Sequence, residues 1–152
     1  MTMPATLATK ADTPGKRLIL AAAAAIACQL LLTFVVSYIP GIDRTSFRSP
    51  LGWLQPASHA IAAVSMSLGG RLAGKRFVVV ALAVTALVWL GTLYVLAQTT
   101  AALTGKPFGA NLVSALAFNK ANIACALLAA ALGALAGAWW RGHRALQNNR
   151  LP

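Results

Sequence analysis

Few side chains in this sequence are equipped for chemistry. Its only carboxylates are Asp12 and Asp43, it has no glutamate, its histidines are His59 and His143, and its cysteines are Cys28 and Cys125. Acid–base catalysis needs titratable groups held together in environments that separate their pKa values, and two isolated aspartates near Lys10 and Arg44 do not supply them. A metal centre needs three or four ligands, and a buried haem needs two axial ones. Neither set is present, so no metal and no cofactor is expected. Gly69-Gly70-Arg71-Leu72-Ala73-Gly74 lacks the strand context and the Lys-Ser/Thr pair of a phosphate loop. Cys28 and Cys125 fall at helical depths that differ by roughly 10 Å, too far apart for a disulfide. The sequence therefore points away from an enzyme.

What remains is hydrogen-bonding capacity in apolar surroundings. Gln29, Ser37, Tyr38, His59, Gln98, Thr99, Asn119 and Asn122 all lie within or at the edge of strongly hydrophobic stretches. Unpaired polar groups are costly in lipid, so they gather with one another or around a ligand. His59, Gln98, Asn122 and Tyr38 form the predicted small-ligand pocket, with His59 its titratable member. On a helix His59, Ala63, Ser67 and Arg71 share one face, which directs His59 inward. The same residues can also be read as an interhelical hydrogen-bond network.

The elements that must position them are set by charge. Leu18–Ile39, Trp53–Gly70, Phe77–Leu96 and Ala121–Trp140 carry no Asp, Glu, Lys or Arg, although the chain holds 13 basic residues. About 20 apolar residues cross a hydrocarbon core about 30 Å thick. Leu18–Leu32 shows no polar stripe beyond Gln29, whereas a surface helix of a soluble protein would show one every turn. The expected fold is an all-α integral membrane protein: four transmembrane helices in an antiparallel bundle, spanning about 18–39, 53–70, 77–98 and 121–140. Residues 1–17 are expected to be a disordered inner tail and residues 141–152 a basic inner tail. Residues 108–118 place Phe108, Leu112, Ala115 and Leu116 on one side and Asn111 and Ser114 on the other. That predicts a short interfacial helix between helices three and four, broken from the fourth span near Asn119-Lys120.

An uncleaved first helix is expected in place of a cleaved signal, with an organellar transit peptide as the alternative for an acid-poor leader rich in Thr and Ala. The apolar run is too long for a cleaved signal and ends at Pro40-Gly41 without a small-x-small site, whereas the single arginine of the leader counts against a transit peptide. Pro14, Pro40, Pro50, Pro56 and Pro107 fall at expected helix ends, where proline is tolerated. Tyr38, Trp53, Trp139 and Trp140 suit the two interfaces, while Trp89 is mid-span. With both termini inside, Lys10, Lys16, Arg17, Arg71, Lys75, Arg76, Arg141, Arg144 and Arg150 face the cytoplasm, against Arg44, Arg48, Lys106 and Lys120 outside. This bias predicts a bacterial inner-membrane protein with cytoplasmic termini. The net charge of +11 is then a matter of topology and lipid headgroups, with no nucleic-acid partner expected. The tight Arg71–Arg76 turn predicts that helices two and three pack as antiparallel neighbours.

One further pattern bears on function. Ala121, Cys125, Ala129, Gly133 and Gly137 recur every four residues, and small residues let lipid-embedded helices approach closely. This predicts a helix-packing interface, either within the bundle or onto a second copy or another membrane protein. Because no carboxylate lies within the spans, proton-coupled transport is disfavoured. The sequence-level expectation is a non-enzymatic accessory or regulatory membrane subunit acting through helix–helix contacts. The alternative is a small-solute transporter or channel component, or a ligand-sensing module, with an outward-facing polar pocket.

Overall fold

The computed structural model describes residues 14–39, 41, 46–49 and 52–148. Four long helices dominate it: α1 Pro14–Ser37, α2 Pro56–Ala73, α3 Phe77–Thr104 and α4 Phe108–Asn148. Two short antiparallel strands, β1 Phe47–Ser49 and β2 Gly52–Leu54, lie between α1 and α2, and a 3-10 turn, Gly74–Arg76, joins α2 to α3. Asp12, Asp43 and Arg44, the greater part of the N-terminal tail and the last residues of the C-terminal one lie outside the described residues.

Three helical stretches are long and apolar enough to cross a membrane: Pro14–Ser37, Pro56–Thr104 and Phe108–His143. The middle stretch contains the Gly74 turn, where a φ of 77° breaks α2. Their outward faces carry Leu20, Leu30 and Phe34 on α1, Leu87 and Leu90 on α3, and Leu128 and Leu132 on α4, all well exposed. A soluble monomer rarely exposes such continuous apolar rows. Apolar outside and small inside is the arrangement of a multi-pass membrane protein.

Small residues decide how the helices meet. A Cβ added at Gly133 would run into the Ala63 carbonyl, one at Gly137 into the Ser67 carbonyl, and one at Gly70 into the Ala134 carbonyl. Backbone therefore lies on backbone along α2 and α4. Contact positions advance together on both, from Ala63 with Gly133 to Gly74 with Arg141, so the two run parallel. Their contact is the most extensive in the molecule. At its far end the Arg141 guanidinium donates to the Leu72 carbonyl at 3.2 Å, and Arg71 stacks on the Trp140 ring at 4.8 Å. The main buried cluster, Ala21, Ala25, Met66, Phe77, Ala81, Ala130 and Ala134, lies in this half, while Leu93 and Ala97 are buried farther along α3.

Four expectations need correction. First, α2 and α3 are not packed neighbours along their length. The Phe77 ring covers Gly69 beside the turn, and beyond it the helices touch little. The small-residue face of α4 takes the place against α2, while α3 returns antiparallel along α4, its Tyr94 ring 5.6 Å from Phe108. Second, α4 does not break at Asn119-Lys120 and there is no separate interfacial helix. Ser114 Oγ donates to the Ala110 carbonyl and Asn119 Nδ2 to the Ala115 carbonyl, so these polar groups are satisfied without ending the helix. Asn111, expected on the outer side, is buried, with its amide on the Lys106 and Pro107 carbonyls. Third, α3 continues past Gln98 to Thr104, because nothing stops it before Gly105, which caps it at a φ of 68°. Fourth, Trp53 belongs to β2, and α2 begins at Pro56.

Candidate functional site

The half of the bundle away from the Gly74 turn is built differently. Where α2 and α3 diverge, a cavity of about 700 Å³ opens between them, with α1 as a third wall and α4 as its floor. Each helix contributes side chains that can hydrogen-bond, at helical spacing on α1 (Gln29, Thr33, Ser37) and α3 (Thr85, Trp89, Thr92), with Ser58 and His59 from α2 and Asn122 from α4. Ser46 and Gln55 stand at the rim on the hairpin side. Among the described residues, no Asp, Glu, Lys or Arg lines it.

Several hydroxyl protons are already committed. Ser37 Oγ donates to the Phe34 carbonyl at 2.6 Å, Thr85 Oγ1 to Ala81 at 2.8 Å and Thr92 Oγ1 to Val88 at 2.9 Å. These bonds satisfy the donors in an apolar helix and leave the oxygen lone pairs as acceptors. The Asn122 amide adjoins the His59 imidazole at the floor. Yet His59 Nε2 and Asn122 Oδ1, both buried, complete no hydrogen bond of good geometry with any described group. Buried polar atoms are normally paired, so a floor with two unmet atoms has spare capacity. The site can therefore hold a molecule through neutral hydrogen bonds and contact with the Trp89 ring. Its residues offer no nucleophile–base pair, and no group of three or more metal-ligating side chains occurs among the described residues.

Of the pocket predicted from sequence, the structure brings His59 and Asn122 together. It leaves out Gln98, exposed with its amide on the Tyr94 hydroxyl, and Tyr38, exposed against Phe34. Asn119 is spent on its own helix, as described above. Gln29 and Ser37 line the cavity as part of the polar group seen in the sequence. Thr33, Ser58, Thr85, Trp89 and Thr92 were missed, although Gln29-Thr33-Ser37 and Thr85-Trp89-Thr92 are legible as one-sided stripes on apolar helices.

The predicted helix-packing stripe is divided. Gly133 and Gly137 are buried against α2 within the fold, whereas Ala121, Cys125 and Ala129 are half-buried on its flank. The fully buried line on α4 is shifted by one residue, through Asn122, Ala126, Ala130, Ala134 and Ala138. Cys28 and Cys125 are both unbridged. Comparison with known proteins finds no matching family model, no matching curated sequence and no matching solved structure.

Proposed function

We propose that this is a non-enzymatic multi-pass membrane protein that binds a small uncharged, hydrogen-bonding solute in the cavity between α1, α2 and α3. It would act as a small-solute carrier or channel component, or as a ligand-sensing module. The observation that carries this reading is the uncharged polar wall around about 700 Å³, a volume within the usual range for small-molecule sites. A wall without fixed charge disfavours ions, which need compensating groups when taken out of water. In this reading α1 to α4 each cross the bilayer. The basic end, with Arg17, Lys75, Arg76 and Arg141, faces the cytoplasm of a bacterial inner membrane, and the cavity opens outward.

The accessory-subunit reading rests on the stripe of α4, and its two glycines are occupied by α2 within the fold. Docking onto a partner would need the flank formed by Ala121, Cys125 and Ala129. The ligand reading is tested by purifying the full chain in mild detergent and identifying bound small molecules by mass spectrometry. A solute held by the wild-type protein and lost on His59→Leu with Asn122→Leu is the expected result. Recovery of lipid alone, the same in both proteins, would contradict it.

A further inference from the structure

At the opposite end of the bundle a second cleft, of about 560 Å³, lies where α1, the Gly74–Arg76 turn and α4 converge. Arg17, Lys75, Arg76 and Arg141 line it, cations drawn from three separate elements. Between them the surface is apolar, formed by Leu18, Ala73 and Ala138. No described residue is acidic, and the chain has only 2 carboxylates in all.

The Arg141 side chain is held in place. Arg141 donates to the Leu72 carbonyl, and its guanidinium lies in the space left by the missing side chain of Gly74. A guanidinium keeps further donors in a fixed fork that matches phosphate oxygens. Lys75 and Arg76 are exposed on the turn beside it. Lys75, Arg76 and Arg141 bring three positive charges to one side of the cleft, where a bound anion would offset their mutual repulsion. The cleft also lies at the ends of three apolar helices, where the phosphates of a bilayer would stand, and basic pockets between membrane helices hold such headgroups.

We propose that this cleft is a binding site for a phosphate-bearing anion, the headgroup of an anionic phospholipid, with Leu18, Ala73 and Ala138 receiving the start of its acyl chains. It is separate from the uncharged cavity and does not depend on the function assigned to that cavity. The cationic guanidinium and ammonium groups recognise the phosphate, and the apolar floor distinguishes a lipid from a soluble phosphate compound.

The test uses the full chain, delipidated and placed in phosphatidylcholine nanodiscs, with phosphatidylglycerol titrated in and binding counted by native mass spectrometry. Inorganic pyrophosphate serves as the soluble competitor. Lys75→Gln with Arg76→Gln should weaken phosphatidylglycerol binding about thirtyfold, about fivefold for each charge removed. Lys106→Gln with Lys120→Gln removes equal charge from the other half and should leave binding unchanged. Both pairs are exposed, and retained helicity confirms that each variant folds. Saturable phosphatidylglycerol binding that pyrophosphate does not displace identifies the lipid source. Displacement by pyrophosphate supports the phosphate site and assigns it a soluble ligand. Equal weakening by both double variants, or no binding of either probe by the wild-type protein, would overturn the proposal.

Discussion

The two halves of this bundle are made from the same four helices and differ in how closely those helices meet and in the polarity of what faces inward. In the half that holds the Gly74 turn, Gly70, Gly133 and Gly137 let α2 and α4 pack backbone on backbone, and Phe77 closes the space beside Gly69. In the other half His59, Thr85, Trp89, Thr92 and Asn122 stand at equivalent inward positions, and a cavity remains between α2 and α3. Within lipid, where apolar surface gains little from leaving its surroundings, helix association depends on close contact. Backbone contact at the glycines closes one half, and the divergence of α2 from α3 leaves the other open for a ligand.

The largest effect that would break this comparison comes from enlarging the closed half. Gly133→Leu or Gly70→Leu forces a side chain into backbone of the facing helix. The expected loss is at the top of the about 1–3 kcal/mol range for overpacking or beyond it, read by denaturant unfolding in detergent. Near-native stability would show that the two helices can slide apart. Next in size is Phe77→Ala, which empties a fully buried ring and should cost about 3 kcal/mol in the same assay. In the open half, His59→Leu with Asn122→Leu should change stability of the unliganded protein by less than about 1 kcal/mol, since polar contacts between membrane helices contribute little on average. The same pair should abolish ligand retention, so stability and binding separate there and coincide in the closed half. Smallest is Gly91→Leu on α3, where an added Cβ meets nothing within 4 Å. It should leave stability intact or raise it by about 0.5 kcal/mol through lower backbone entropy.

Much of the closed half was legible in the sequence, because uncharged length gives the apolar stretches and a four-residue repeat of small side chains marks a tight contact. The partner in that contact was not. A small-residue stripe states how near another helix can come, and only the assembled fold shows that α2 takes the place and runs parallel. The shift of the buried line from Ala121-Cys125-Ala129 to Asn122-Ala126-Ala130 reflects the same gap, because one residue moves a face by about 100°. Helix ends were misjudged where polarity was taken as a stop. Thr99, Thr104, Ser114 and Asn119 all bond to carbonyls of their own helices, so α3 and α4 outrun the uncharged stretches. In the open half, His59 and Asn122 were legible as costly polar groups. The threonines of α1 and α3 fall in legible one-sided stripes, but an isolated threonine in an apolar helix looks self-satisfied until several are seen to share one wall.

The open half holds a polar cavity that reaches Trp89, although Trp89 lies in the middle of an apolar stretch, and such a cavity admits water from outside. The most direct measurement is fluorescence quenching of a single-tryptophan protein, with Trp53, Trp139 and Trp140 replaced by phenylalanine, in reconstituted vesicles. Acrylamide, a small neutral amide in water, should quench Trp89 strongly, brominated lipid should quench it weakly, and Thr92→Phe should block the acrylamide effect by filling the cavity. Quenching by brominated lipid alone, unaffected by Thr92→Phe, would place Trp89 in the bilayer and rule out an open polar cavity at its side.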